Sequence, residues 1–564
     1  MTDFVPASID ASRWTEIEPL VGALLERPVA SASDLERWLL DRSEFDAACS
    51  EARADLYIAM TCRTDDKGAA GAWTTYIEET APKLTPAAFE LDKLQAQLCG
   101  QYDLDRSRFA VIERDTQADV ELFRQENVPL ETDLAKLDQD YDAIAGAMTV
   151  EFDGAERTLP EMARFTEETD RAVREGAWRA VSERRLRDRG AIDGIFDKMI
   201  SIRDTLANNA GFDDYVGYAY RSKHRFDYGP AKCEAFHDAI EKAVVPLVST
   251  IDAHRASTLG VDSLRPWDLG VDVKGRAPLR PFVGGEDLFK KSLGVFGRVD
   301  SGLGEMFATL GAGGQLDLDS RKGKAPGGYQ YMRDRSRKPF IFMNAAGLQG
   351  DVRTMVHEAG HAFHSLLCED EPLLHYRHSP IEFAEVASMT MELLTMPEWD
   401  EFYPDTIDAD RARRDQLEGV VLLLPWIATI DAFQHWLYRN PKHTRDERTA
   451  AWCDLVSRFG RDVSWDGLEP TREALWQRQG HLFGSPFYYV EYGIAQLGAL
   501  QLWLMSLEQG RPAAIEAYKK ALALGGSRPL PELFEAAGIE FDFSASIVER
   551  LMGAVGSALE ELPA

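Results

Sequence analysis

Between residues 327 and 364 the chain contains, in order, GGYQYM (327–332), DRS (334–336), PFIFM (339–343) and, after Asn344 and Gly347, TMVHEAGHAFH (354–364). Two aromatic, apolar runs around a polar turn predict an antiparallel hairpin. Asp351 is placed to cap a helix that runs through His361 and beyond. On that helix His357 and His361 lie four residues apart, one turn along the same face. Glu358 stands about 100° around the axis from His357. Two imidazoles so placed hold one metal ion together, and neutral imidazole suits zinc. In this His-Glu-x-x-His pattern zinc lowers the pKa of a water molecule, and Glu358 is the general base that takes its proton.

A catalytic zinc keeps three protein ligands and one open position, so the helix needs a partner. Downstream, residues 379–388 read SPIEFAEVAS. Pro380 suits the first turn of a new helix, on which Glu382 and Glu385 share a face. Glu385 folding back as the third ligand, with Glu382 as an acceptor that orients a ligand imidazole, is the favoured reading; the alternatives are that Glu382 is the ligand or that both are solvated surface carboxylates. Spacing alone leaves their order open. His364, seven residues after His357, would close the open position if it also bound the metal, so it is expected to support the ligands.

The rest of the chain reads as helix. Leu130, Leu134, Leu137, Tyr141 and Ile144 recur at spacings of four and three behind Pro129. Residues 160–210 and the stretch from Arg411 onward continue in the same style. Thr149 to Leu159 reads as a hairpin turning at Asp153-Gly154, and Leu259 to Gly285 is a Pro- and Gly-rich connection. The expected architecture is predominantly α, with one small sheet beside the motif helix. Its 564 residues exceed one usual domain, and they divide into an N-terminal helical region (1–210) and a region carrying the chemistry (211–564).

Composition narrows the class. Hydrophobic residues make up 45% and charged residues 28%, as in soluble globular proteins. A net charge of −31 repels phosphates and disfavours nucleic acid. Six dispersed cysteines without a Cys-x-x-Cys pair fit buried thiols in a reducing compartment. Met1 to Trp14 carries no secretory pattern, and the longest apolar run, Gly419 to Ile430, is too short to span a bilayer. A soluble cytoplasmic protein without membrane or nucleic-acid partners is expected.

The run from Lys324 to Met391 resembles the thimet oligopeptidase and oligoendopeptidase F family of zinc peptidases, most of all its short bacterial Pz peptidase branch. A second block, HLFGSPFYYVEYG (481–493), and the phrase NNAGF (208–212) extend the likeness. The resemblance implies a helical ellipsoid of two lobes around a deep channel, one Zn2+ per chain, and hydrolysis of internal bonds in short unfolded peptides. It implies Glu385 as third ligand. It also implies that His481, with one or more of Tyr488, Tyr489 and Tyr492, stabilises the oxyanion. Substrate would pair with Pro339–Met343 as an edge strand, with Phe340 and Phe342 in contact, beside Tyr329 and the close backbone approach that Gly327 and Gly328 permit. Two other readings use the same residues. A zinc carboxypeptidase would need a site for a free carboxylate. A peptide-binding protein without catalysis would have no use for Glu358.

Overall fold

The motif helix, Gln349–Leu367, forms because its sequence supplies both a start and a face. Asp351 sits in the first turn, and its carboxylate accepts the backbone N–H of Leu348 at 2.9 Å and of Ala346 at 2.8 Å. The expectation that Asp351 precedes the helix is thus corrected by one turn: it satisfies the orphan donors from inside. Val352, Met355, Val356, Ala359, Ala362 and Phe363 recur at helical spacing and are fully buried. The structure, a computed structural model, describes residues 4–321, 323–325 and 327–563.

The partner helix, Ile381–Leu394, starts directly after Pro380, whose extended backbone makes it the capping residue rather than the first helical one. It is buried on nearly every side, because a second helix, Tyr489–Glu508, covers its far face. Two glycines permit this layering. A Cβ on Gly360 would lie 2.6 Å from the carbonyl of Ala387 and the Cα of Ser388, and one on Gly498 would lie 2.8 Å from Val386.

Five short strands are present among the described residues. Thr149–Phe152 (β1) and Ala155–Thr158 (β2) form the expected hairpin. It turns at Asp153 and Gly154, both left-handed, as a two-residue turn of this kind requires. Leu316–Asp319 (β3), Tyr329–Arg333 (β4) and Lys338–Ala345 (β5) form the sheet beside the motif helix. Its order is β3-β5-β4, with β4 antiparallel and β3 parallel to β5. The hairpin is as expected, but Pro339–Met343 is not an edge. It lies in the central strand, hydrogen-bonded on both sides, and the margins are β3 and β4.

Two large apolar cores organise the helices. One gathers Ile17, Leu35, Trp38, Phe45, Leu91 and Ile112 from the first part of the chain, together with Leu373 and Tyr376. The other runs from Leu137 to Leu559 and contains the motif helix and its partners. The first core therefore captures the segment that joins the motif helix to the Glu385 helix. Ser43 donates to the Pro372 carbonyl at 3.1 Å, and Tyr376 donates to the Arg108 carbonyl at 2.5 Å. The apolar run around Gly419–Ile430 belongs to Thr406–Arg439, whose most apolar window is 67% buried inside the protein, the setting of a core helix.

Gly360→Ala forces the motif helix and the Glu385 helix apart where backbone touches backbone. Overpacking of this kind costs roughly 1–3 kcal/mol. The expected outcome is a lower midpoint in denaturant unfolding followed by circular dichroism.

Candidate metal centre

The helices converge on three donors. One donor atom each from His357, His361 and Glu385 lies within 4.8 Å of the others. Glu385 Oε2 is 3.3 Å from His357 Nε2 and 3.7 Å from His361 Nε2. These spacings match donors arranged around one small cation at zinc–ligand lengths. Ser388 donates to the same Oε2 at 2.9 Å and fixes the carboxylate from its own helix. Burial pushes the Glu385 carboxyl up, but the imidazoles of His361 and His357 outweigh it and hold it down to about 2. Burial likewise opposes charge on His357, yet Glu385 and Glu392 on its two nitrogens raise its pKa well above the usual value. His361 lacks such a carboxylate pair, and burial lowers its pKa. The centre therefore calls for positive charge at the meeting point of the three donors, which is what a divalent cation supplies. The donor set fits zinc.

Glu392 is the residue that sequence reasoning missed. Its Oε1 lies 2.7 Å from His357 Nδ1, and its Oε2 accepts from Gln416 at 2.8 Å. A carboxylate there holds the proton on Nδ1, so that with an ion bound Nε2 would be the donor. The signal was present in the spacing: residue 392 lies two turns after Glu385 on the same face. Glu382, expected in that supporting role, faces elsewhere. Its carboxylate accepts from Tyr228 at 2.5 Å and lies 3.8 Å from Arg225 Nε. His364 also reaches no ligand residue: it is buried, and its Nε2 has no hydrogen-bond partner among the described residues. Burial, with His378 and His361 nearby, pushes it down to about 3 and keeps it neutral. Glu358, next to His357, is buried on the motif helix.

The second block closes over the donors. The Tyr488 hydroxyl lies 3.3 Å from Glu385 Oε1, which makes it the tyrosine nearest the donor set. Burial, and then the charge of Glu385, raises its pKa, so the phenol keeps its proton. Tyr492 stacks edge-on against Tyr488 with ring centres 5.1 Å apart. Tyr489 engages Trp426 and Gln479. His481 sits among all three rings at 5.1–6.1 Å. Gln479 donates to His481 Nδ1 at 2.8 Å, so the ring proton belongs on Nε2. Burial, and then Lys223, lowers its pKa, which favours the neutral ring.

Tyr488 is placed by an unusual residue before it. Phe487 is fully buried and left-handed at φ 63°, a conformation that costs about 1–3 kcal/mol outside glycine. Its N–H donates to Gln434 at 2.5 Å, and its carbonyl accepts from Arg225 at 2.5 Å. Arg225 also pairs with the buried Glu491 at 2.6 Å. Burial raises the Glu491 pKa against the pull of Arg225.

The aromatic residues expected to touch substrate are packed away. Phe340 and Phe342 are buried in a cluster with Ile58. Tyr329 stacks on Phe342 with centres 4.7 Å apart, and its hydroxyl lies 2.6 Å from Thr61 Oγ1. Alternation along β5 sends these rings to the helix Ala32–Cys62, which covers that face of the sheet. Gly327 is left-handed at φ 96°. A Cβ on Gly328 would be 3.4 Å from the Phe342 carbonyl and the Thr354 methyl. Both glycines therefore answer to local backbone packing.

A helical fold with two imidazoles on one helix and a carboxylate from a facing helix defines the metallopeptidase class of site. The chain belongs to peptidase family M3, whose model matches residues 164–278 and 306–553. It is 24% identical over 392 residues to an oligoendopeptidase F homolog of Borreliella burgdorferi, and the match covers 65% of this chain and 64% of that protein. It is 25% identical over 327 residues to oligopeptidase PepF of Bacillus subtilis, covering 54% of this chain and 46% of the other. The matches thus span about half to two thirds of these relatives' own length. A solved Pz peptidase A with an inhibitor superposes at a TM-score of 0.89, with 25% identity and 99% of each chain covered.

Removing one partner of a buried ion pair leaves the other charge stranded, at about 3 kcal/mol or more. Arg225→Met leaves Glu491 with only the longer contact to Lys223 at 3.7 Å and frees the Phe487 carbonyl. A loss of that size is expected in urea unfolding, with Glu491→Gln in the same background restoring part of it.

Proposed function

We propose that the chain is a zinc-dependent oligopeptidase that cuts internal bonds of short unfolded peptides. The observation that carries this reading is the convergence of His357, His361 and Glu385, with Glu358 beside them and a protonated phenol against the carboxylate ligand. His357, His361 and Glu385 would hold zinc, which polarises the scissile carbonyl and makes water a nucleophile at neutral pH. Glu392 keeps the His357 proton on Nδ1, so that Nε2 faces the ion. Glu358 takes the proton from the attacking water and returns it to the leaving nitrogen. Tyr488, and His481 through Nε2–H, donate hydrogen bonds where negative charge develops on the substrate oxygen. Tyr492 orients Tyr488, and Tyr489 walls the site. The peptide lies along β4, the margin of the sheet, rather than along β5. Main-chain pairing there gives affinity with little sequence preference. The names of the relatives support cleavage inside a peptide rather than at its end.

The test is cleavage of an internally quenched, end-blocked peptide by wild type and Glu358→Gln, with zinc measured on both. Wild type is expected to cut at internal bonds. The variant is expected to keep its zinc and lose several orders of magnitude in rate, as removal of a general base beside a metal site implies. A zinc-loaded wild type that leaves every blocked peptide intact overturns the reading. In the same series, Glu392→Ala is expected to weaken zinc about 10–100-fold in competition with a chelator.

A further inference from the structure

Arg353 lies one turn before His357 on the same face of the motif helix, and it is exposed. Its field reaches Asp415, but its guanidinium makes no hydrogen bond or ion pair among the described residues. Arg353 also stands at a junction. On one side is a cleft of about 540 Å³ that contains His357, Glu392 and His481 and has half-buried apolar walls in Leu422, Leu423 and Trp426. On the other is a cleft of about 480 Å³ lined by arginines and carboxylates alike, with Asp415 and Glu418 among the latter. Asp272 neutralises Arg276 and Arg411. Arg280 has its neighbour's carbonyl at 3.4 Å and lies in the field of Glu167. Arg353 therefore stands where the two clefts meet, with its guanidinium free of hydrogen bonds among the described residues.

We infer that Arg353 is a carboxylate-binding subsite: it receives the free C-terminus, or an acidic side chain, of a peptide that reaches past the metal along the Trp426 wall. This rests on the peptidase reading above for the substrate class. Helix geometry sets the reach. Four residues advance the axis by about 6 Å, and the side chain leans further toward the helix start. At about 3.3–3.6 Å per extended residue, the carboxylate belongs two or three residues from the scissile bond. A carboxypeptidase needs it at the first residue, so this placement favours release of short fragments rather than single amino acids. Arg353 also selects the direction of the peptide, because an ammonium terminus arriving beside it is repelled. The apolar wall before it takes a large hydrophobic side chain. The planar, permanently charged guanidinium suits a two-pronged grip on a carboxylate.

The experiment measures peptide binding by fluorescence anisotropy to the full-length Glu358→Gln chain, with and without Arg353→Gln. The probe is a labelled pentapeptide with a bulky apolar residue next to its end, made as the free acid, as the amide, and as the amide ending in Asp. With Arg353 present the free acid is expected to bind about tenfold more tightly than the amide, the scale of a charge-assisted hydrogen bond. In Arg353→Gln the ratio falls below two. An Asp amide that matches the free acid shows that a side-chain carboxylate is accepted too, and one that matches the plain amide assigns the subsite to the chain terminus. Equal affinity for acid and amide with Arg353 present overturns the proposal, as does a preference that survives Arg353→Gln. If wild type cleaves no peptide yet the Arg353-dependent preference holds, the peptidase reading fails and the subsite stands.

Discussion

The metal centre depends on two helices touching backbone to backbone. Gly360, between the two histidines, has no side chain, and the carbonyl of Ala387 occupies the space where a Cβ would be. Only at that separation does a carboxylate as short as Glu385 come within 3.3–3.7 Å of both imidazoles. Gly498 performs the same service on the far face of the Glu385 helix, which is why a helix bearing three glutamates is buried on nearly every side. The cost of burying those carboxylates is met separately at each one: Glu385 by two imidazoles and Ser388, Glu392 by His357 and Gln416, Glu382 by Tyr228 with Arg225 close by.

Electrostatics and strain then act on opposite sides of the same site. The donors are arranged so that positive charge is wanted among His357, His361 and Glu385, with Glu392 behind His357. The tyrosine block is arranged so that a proton is kept on Tyr488. That phenol is aimed by a left-handed phenylalanine gripped at its N–H by Gln434 and at its carbonyl by Arg225. The rigid group is thus the backbone before Tyr488, and the tyrosine inherits its position from it.

Much of this was legible in the sequence, for identifiable reasons. The histidine spacing is a helical turn, so local geometry alone pairs His357 with His361. The hairpins at 149–158 and 329–345 follow from turn residues and alternation, which are local too. What the sequence did not reveal was set by long-range packing. Glu382 and Glu392 are both plausible supporters of a ligand by spacing, and only the rotation of the helix against Tyr228 and Arg225 separates them. Pro339–Met343 reads as an edge until β3, which precedes it in the chain, returns to pair with its other side. Phe340 and Phe342 look like substrate contacts until the helix Ala32–Cys62 covers them. Left-handed Phe487 has no sequence signal, since glycine is the residue expected there.

The segment between the two donor-bearing helices is held in the core of the N-terminal helices, through Leu373 and Tyr376 and the hydrogen bonds of Ser43 and Tyr376. The distance from His361 to Glu385 is therefore tied to where the first hundred residues sit. Those residues supply none of the three donors, yet they form part of the frame that spaces them. A graft of the catalytic half onto a different N-terminal region would carry every ligand across and lose the clamp that spaces them.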